Sequence, residues 1–410
     1  MAGGFEVLKE RGFIKQCSSE EGLKRLLASE RVTFYIGFDP TGSSLHAGHL
    51  LQLFAMSHLQ RAGHRPIALI GGGTSRIGDP SGKTEMRKMM SLETIRTNSE
   101  CFQKQISRFL DFSGDRALMV DNAEWLADLN YIDFLRDIGS HFSVNRMLSF
   151  ETYKMRLESG LSFIEFNYQI LQSFDFLTLY RQHGCRLQMG GDDQWGNIVA
   201  GMDLVRRLES VECFALTSPL VTRSDGKKMG KTEKGALFLD PDLISPYEFY
   251  QYWLNVPDAD VEKLLLLFTY LPLTEVRELA SLRDKEINHA KQVLAGELTG
   301  IVHGKEAAEQ ARSSSQALFQ QGGSGDMSGI PSAPLKREVL EKGINVLDIF
   351  CTSGLCTSRS EARRLVVQGG AYVNGENIRD IEKIIEIEMV KEGAVLLRAG
   401  KKRYFRFSID

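Results

Sequence analysis

The sequence contains no run of about 18 apolar residues, so nothing in it reads as a membrane-spanning helix. Its first residues, MAGGFEVLKERGFIKQC, have neither the apolar stretch of a signal peptide nor the Arg/Ser bias of a transit sequence, and the reading is a cytoplasmic protein. The six cysteines, at 17, 101, 185, 213, 351 and 356, form no CxxC and no Cys/His cluster. Neither zinc nor a disulfide framework is therefore indicated, and reduced thiols fit. No internal repeat is present. Net charge is only −3, which argues against a general nucleic-acid coat. The charge is unevenly spread, however. Residues 331–410 hold 14 Lys+Arg and 11 Asp+Glu, leaving 36 and 42 on the rest, so a basic tail follows an acidic body.

What is present reads as several domains, because 410 residues exceed one ordinary core. Val32–Phe38 is a β-branched and aromatic strand that runs into the turn formers Asp39–Ser44. A helix is expected over Leu45–Ala62, with Ser44 as its N-cap. Strands follow at Pro66–Ile70 and Ala117–Val120, separated by a helix near residues 91–112. A further strand, Arg186–Met189, precedes a loop and a helix reaching about Leu208. This alternation predicts an α/β fold, a Rossmann-like doubly wound parallel sheet whose ligands sit at the carboxyl ends of its strands. The division read from the sequence has four parts. Residues 1–220 form the catalytic domain, with a helical insertion at about 123–183. Residues 221–319 form a helical domain, 320–335 a flexible linker, and 336–410 a small mixed α/β domain.

Chemistry is suggested by His46-Ala47-Gly48-His49 together with Lys228-Met229-Gly230-Lys231-Thr232. Two imidazoles three apart share a helix face, at a helix start that already favours anions. Two lysines on a glycine-containing loop could close on the same triphosphate. That is the layout of a nucleotidyl transferase that activates a carboxylate. Gly48 would let an adenine ring approach the backbone. A zinc pair would need a third ligand and prefers i,i+4 spacing. Gly82-Lys83-Thr84, with Arg87 beyond it, fails as a Walker loop because Ile77 stands where glycine is needed. Lys83 and Arg87 remain either phosphate contacts or solvated cations. Tyr168, Gln172 and Asp175 fall on one face of a largely apolar helix, which fits a polar ligand or a partly exposed helix.

With these motifs in order, the chain resembles the bacterial-type tyrosyl-tRNA synthetases, a family of class I aminoacyl-tRNA synthetases. The likeness spans nearly the whole sequence. It is carried by Tyr35-x-Gly37-Phe38-Asp39-Pro40-Thr41, HAGH, Gly78–Lys83, the Tyr168/Gln172/Asp175 helix, Gly190–Asn197 and KMGKT. The resemblance implies that Tyr35 and Asp175 bind the substrate phenol, that Asp79, Tyr168 and Gln172 hold its ammonium, and that Gln188 and Gln194 position the amino acid. It implies a nucleotide site at Asp39, Gly48, Gly191, Asp193 and Lys231. Thr41, His46, His49, Lys83, Arg87, Lys228, Lys231 and Thr232 would act on the triphosphate. ATP with Mg²⁺ on the leaving pyrophosphate, L-tyrosine and tRNA(Tyr) are the implied partners, and a homodimer with its interface around residues 142–157 is the implied assembly. The tail from about Asn345 resembles a small RNA-binding domain shared with a ribosomal protein, with Arg359, Arg363 and Arg364 as backbone contacts.

Two departures stand out. Ile36 occupies a position that in the family is often small, polar and ribose-contacting. Gly230 replaces the first serine of KMSKS and should loosen the loop. The rival readings are the tryptophan enzyme, a synthetase-derived RNA-binding factor and a small-molecule adenylating ligase. Asp175 with Tyr35, the intact motifs and the arginine-bearing tail respectively argue against them.

Overall fold

The computed structural model describes residues 3–81, 90–224, 226, 229–232, 235–319, 330–391, 393–400 and 403–409, with the side chains at 152, 155, 159, 231, 232 and 317–319 left aside. Two compact units emerge. One comprises Met1–Ile244 and Val256–Leu294, the other Ser245–Asn255 and Ala295–Asp410. Among the described residues, no helix is long and apolar enough to cross a membrane.

The first unit opens with α1 (Gly4–Glu10), β1 (Gln16–Cys17) and α2 (Glu20–Ser29). Then come β2 (Thr33–Phe38), α3 (Ala47–Arg61), β3 (Arg65–Ile70), α4 (Leu92–Ile106) and β4 (Leu118–Asp121). A helical stretch follows: α5 (Ala123–Leu126), α6 (Tyr131–Asp137), α7 (Val144–Leu148), α8 (Glu151–Ser159) and α9 (Phe163–His183). The chain returns through β5 (Cys185–Gly191), α10 (Trp195–Glu209) and β6 (Phe214–Ser218). The described strands form a six-stranded sheet in the order β1-β6-β5-β2-β3-β4. All neighbours are parallel except β1, which pairs antiparallel with β6 at the edge. The chain therefore winds one way from β2 through β3 to β4 and the other way from β5 to β6. The switch point lies between β2 and β5, where a doubly wound sheet opens a crevice at its carboxyl end.

β2 is central because its run TFYIGF is apolar on both faces, and Phe34, Tyr35, Ile36 and Phe38 are all buried. Ile36 points to the face opposite Tyr35, since successive side chains alternate. At 2% exposed it is a core residue packed beneath the sheet. α9 is fixed at both ends: Ser162 and Glu165 form a capping box, and Gly184 closes it in the left-handed conformation. The buried guanidinium of Arg156 donates to both Glu165 oxygens, at 2.9 and 3.1 Å, pinning the start of the helix to α8.

A short hairpin of β7 (Lys231–Thr232) and β8 (Gly235–Ala236) precedes α11 (Pro246–Leu254). The helices α12 (Val261–Phe268), α13 (Leu273–Ser281), α14 (Ile287–His303) and α15 (Lys305–Phe319) follow, and the unit boundary falls within α14. In the second unit β9 (Ser332–Leu335), α16 (Arg337–Glu341), β10 (Ile344–Asn345), α17 (Val346–Thr352) and α18 (Arg359–Val367) lead to β11 (Ala371–Val373), β12 (Glu376–Ile378), β13 (Ile384–Ile385), β14 (Ala394–Ala399) and β15 (Arg403–Ile409). A sheet ordered β12-β11-β14-β15-β9 packs on a core that includes Leu347, Phe350, Val366, Val395 and Phe407. Part of the span read as linker is thus an edge strand, β9, parallel to β15. Residues 320–329 lie outside the described residues.

Candidate active site

The sharp exit from β2 places Asp39 at the carboxyl end of the sheet, and α3 begins shortly after it. Asn98 of α4 donates to the Pro40 carbonyl at 3.0 Å, and the Gln105 side chain accepts the Leu45 N–H at 2.9 Å. These two buried amides hold the intervening loop in place.

The helix start differs from expectation. Its N-cap is His46, not Ser44. His46 Nδ1 accepts the Gly48 N–H at 3.0 Å, and His49 Nδ1 accepts the His46 N–H at 3.1 Å. The two histidines thus form a reciprocal capping box, the arrangement more often made by a Ser/Thr and a Glu/Gln. Ser44 is instead buried and accepts the Asp240 N–H at 3.1 Å. Because each Nδ1 accepts from backbone, each neutral ring carries its proton on Nε2. Burial holds His46 below the usual histidine range. It pushes His49 down to about 3, with repulsion from His46 adding to it. The result is two neutral N–H donors at a helix N-terminus, where backbone dipoles already favour negative charge. Gly48 has a local reason to be glycine: a Cβ there would lie 2.8 Å from the His46 ring.

KMGKT is joined directly to this helix. The Leu237 N–H donates to the Gly230 carbonyl at 2.7 Å, and the Ala47 N–H donates to the Leu237 carbonyl at 2.8 Å. Gly230 adopts φ +80°, and a Cβ on it would sit 2.7 Å from that of Ala47. The glycine expected to loosen the loop is a close-packed docking point. Lys231 and Thr232 lie on β7, their side chains outside the described atoms. Lys83, Arg87 and Lys228 lie outside the described residues.

On the other side of the crevice, α9 presents Tyr168, Gln172 and Asp175. Asp175 is 2% exposed, and its two oxygens accept from Asn122 Nδ2 at 3.0 Å and Trp125 Nε1 at 2.8 Å. Burial nevertheless lifts its pKa to about 8. Tyr35, on the neighbouring strand, packs edge-on to Phe176 and senses the Asp175 charge, and burial raises its phenol well above the usual range. Its Oη is buried with no hydrogen-bond partner among the described residues. Gln188, paired with Tyr35 in strand register, has a buried Oε1 in the same condition. Orphaned buried polar atoms are costly, and two aligned on adjacent strands point to a polar ligand between them.

A second network covers the mouth. Tyr168 Oη and Thr74 Oγ1 donate to the two oxygens of Asp39, at 3.0 and 2.8 Å. Gln194 Nε2 donates to Asp79 at 2.7 Å, Gln172 donates to Gln194 at 3.3 Å, and Asn197 donates to Gln172 at 3.1 Å. Gly191 ends β5, and Asp193 follows in a short turn, where desolvation and then the Asp79 charge lift its carboxyl above the usual range. Thr41 is exposed beside Asp39. Of the sequence-predicted residues, Tyr35, Asp39, Thr41, His46, Gly48, His49, Asp79, Tyr168, Gln172, Asp175, Gln188, Gly191, Asp193 and Gln194 therefore fall in one crevice. Arg359, Arg363 and Arg364 lie in the second unit on α18, with Arg359 ion-paired to Asp348 at 3.2 Å. Sequence reasoning missed Asn122, Trp125, Thr74 and Asn197. Asn122 and Trp125 directly follow β4, so the rule that ligands gather at carboxyl ends of strands could have found them.

The arrangement pairs a polar-floored pocket with an anion-binding helix start. Residues 27–320 match the family model for "tRNA synthetases class I (W and Y)", and residues 325–407 match a "Tyrosine--tRNA ligase SYY-like C-terminal domain". The tyrosine–tRNA ligase of Caldanaerobacter subterraneus subsp. tengcongensis is 55% identical over 404 residues, 98% of each chain. That of Clostridium botulinum is 54% identical over 410 residues, the whole of both chains. Among solved structures, a C-terminally truncated mitochondrial tyrosyl-tRNA synthetase from Aspergillus nidulans matches with TM-score 0.71 and 29% identity, covering 78% of this chain and 95% of that one. With matches that span both units and leave few residues unaccounted for, the chain belongs to the class I tRNA synthetases of the tryptophan and tyrosine kind.

Proposed function

We propose that the chain activates L-tyrosine with ATP, giving tyrosyl-adenylate and pyrophosphate, and then transfers the tyrosyl group to the 3′-terminal adenosine of tRNA(Tyr). The observation that carries the reading is the buried Tyr35 Oη, without a hydrogen-bond partner among the described residues, beside the buried Asp175 carboxyl group. A substrate phenol can accept from Tyr35 and donate to a remaining lone pair of Asp175. Phenylalanine would leave the Tyr35 hydroxyl unpaired and that Asp175 lone pair unused, a discrimination of the kind tyrosine-selecting synthetases make. An indole would present its N–H at a different reach.

The chemistry follows from placement. The tyrosine carboxylate attacks the α-phosphorus of ATP, the bond to the β-phosphate breaks, and pyrophosphate leaves with the magnesium that entered with the nucleotide. No protein nucleophile is needed. The Nε2–H groups of His46 and His49, with the α3 N-terminus behind them, meet the charge that builds on the leaving group. Lys228, Lys231, Thr232, Lys83 and Arg87 add cationic and hydroxyl contacts to it. Asp79, Tyr168 and Gln172 take the α-ammonium, Gln188 and Gln194 orient the carboxylate, and Gly191 and Asp193 meet the ribose. Asp39 links the two halves by holding Tyr168 and Thr74. In the second step the adenosine hydroxyl attacks the acyl carbon and AMP leaves.

Arg359, Arg363 and Arg364 on α18 would track the tRNA backbone. A homodimer is supported by apolar exposure on the helical stretch: Ile132 is 68%, Val144 55%, Leu157 51% and Phe163 68% exposed. The work belongs in the cytoplasm, where tRNA is charged. The test is ATP–pyrophosphate exchange with tyrosine, tryptophan or phenylalanine and no tRNA. Exchange with tyrosine alone is expected. Exchange with tryptophan would overturn the specificity, and none with any of them would overturn the activity.

A further inference from the structure

One buried carboxylate is not used by the site described above. Asp260, 5% exposed, stands at the N-cap position of α12. An aspartate there ordinarily accepts an N–H from its own first turn. Asp260 makes no such bond. Its oxygens turn to Ser224 instead: they accept the Ser224 N–H at 3.0 and 3.1 Å and the Ser224 hydroxyl at 3.2 Å. A buried carboxylate is costly unless hydrogen-bonded, and among the described residues Ser224 supplies those bonds.

Ser224 is the residue from which the chain enters the segment bearing KMGKT. Nearby, Lys263 of α12 donates to the Thr222 carbonyl at 3.3 Å, and the Met229 N–H returns to the Val221 carbonyl at 3.0 Å. Beyond them, Gly230 and Leu237 dock on the start of α3. The segment therefore has two anchors. Among the described residues, one is the histidine-bearing helix and the other a side chain that makes no cap bond to its own helix.

We propose that Asp260 is a positioning residue for the KMGKT segment, fixing through Ser224 the point from which its lysines are delivered to the triphosphate. This rests on reading Lys228 and Lys231 as phosphate ligands. The test is tyrosine-dependent pyrophosphate exchange by the full chain carrying Asp260→Ser, Lys231→Ala, or both. Asp260 makes no cap bond to α12, so exchanging it for serine, which is well tolerated at a helix start, should leave α12 in place while the grip on Ser224 is lost. Asp260→Ser should lower kcat roughly tenfold, the loss of a charged hydrogen bond, with KM for tyrosine unchanged. In the Lys231→Ala background it should lower kcat little further, because the two act through one segment. Asp260→Asn, which keeps the reach and one acceptor oxygen but not the charge, should recover part of the rate. Asp260→Ser with full kcat beside a crippled Lys231→Ala would sink the proposal alone. So would losses that simply multiply, or a rate that falls in step with the melting temperature. An unimpaired Lys231→Ala would sink the phosphate reading and the proposal with it.

Discussion

The floor of the crevice around Asp175 and the rim around His46 are held in contrasting ways. On the floor, side chains satisfy side chains: Asn122 and Trp125 bond Asp175, and Gln172, Gln194 and Asn197 bond one another. On the rim, backbone does the holding: helix N–H groups bond the histidines, and Ala47, Leu237 and Gly230 are stitched by main-chain contacts. A floor made of side chains can be specific, because each group has a fixed hydrogen-bonding sense. A rim made of main chain presents repeated N–H groups, which suit a polyanion of little shape detail. On the proposed reading the floor selects and the rim stabilises charge, and substitutions should separate the two.

The largest effect is expected at Asp175→Ala. It removes the acceptor of the buried Asn122 amide and the half-buried Trp125 indole, at about 1–3 kcal/mol each, and tyrosine activation should fall by at least about a hundredfold. The loss should appear as a raised KM for tyrosine with KM for ATP nearly unchanged, measured by pyrophosphate exchange. A variant that loses both substrates equally would erase the contrast. Next is Gly230→Ala on the rim. Its φ of +80° and a contact 2.7 Å from Ala47 make alanine strained by about 1–2 kcal/mol, and the docking must shift. Here kcat should drop several-fold while KM for tyrosine holds, and an unchanged kcat would show that the docking carries no catalytic weight.

The smallest effect concerns acid. His49 titrates near 3 in the folded chain against 6.5 ordinarily, so the unfolded chain takes up its proton first as pH falls. The stability it contributes is complete above about pH 6.5 and is lost progressively toward pH 3. His58, also pushed to about 3 by burial, adds to the same slope. His49→Gln keeps an N3 acceptor for the capping box but cannot titrate. Its melting temperature should therefore fall less steeply between pH 7 and 5 than that of the parent chain. Parallel curves would show that His49 does not carry the linkage.

The strands and long helices were legible because their signals are local: the β-branched run of β2, the turn formers after it, the one-sided polarity of α9. The family match bears out the fold and the ligase reading. The histidine cap was not legible, because Ser44 fits the usual N-cap preference and imidazole seldom takes that role. Asn122 and Trp125 were missed for another reason. They reach Asp175 across about fifty residues of chain, a pairing that the sheet creates and no local pattern announces. Gly230 was misjudged because sequence shows its freedom and only packing shows the neighbour that requires it.

The indole of Trp125 is one of only three in the chain, and it points its N–H at the carboxylate that would receive the substrate phenol. An indole's emission responds to charge at that end of the ring. Tyrosine binding and Asp175 ionisation should therefore each register in intrinsic fluorescence, which would give the pocket an optical readout without any label.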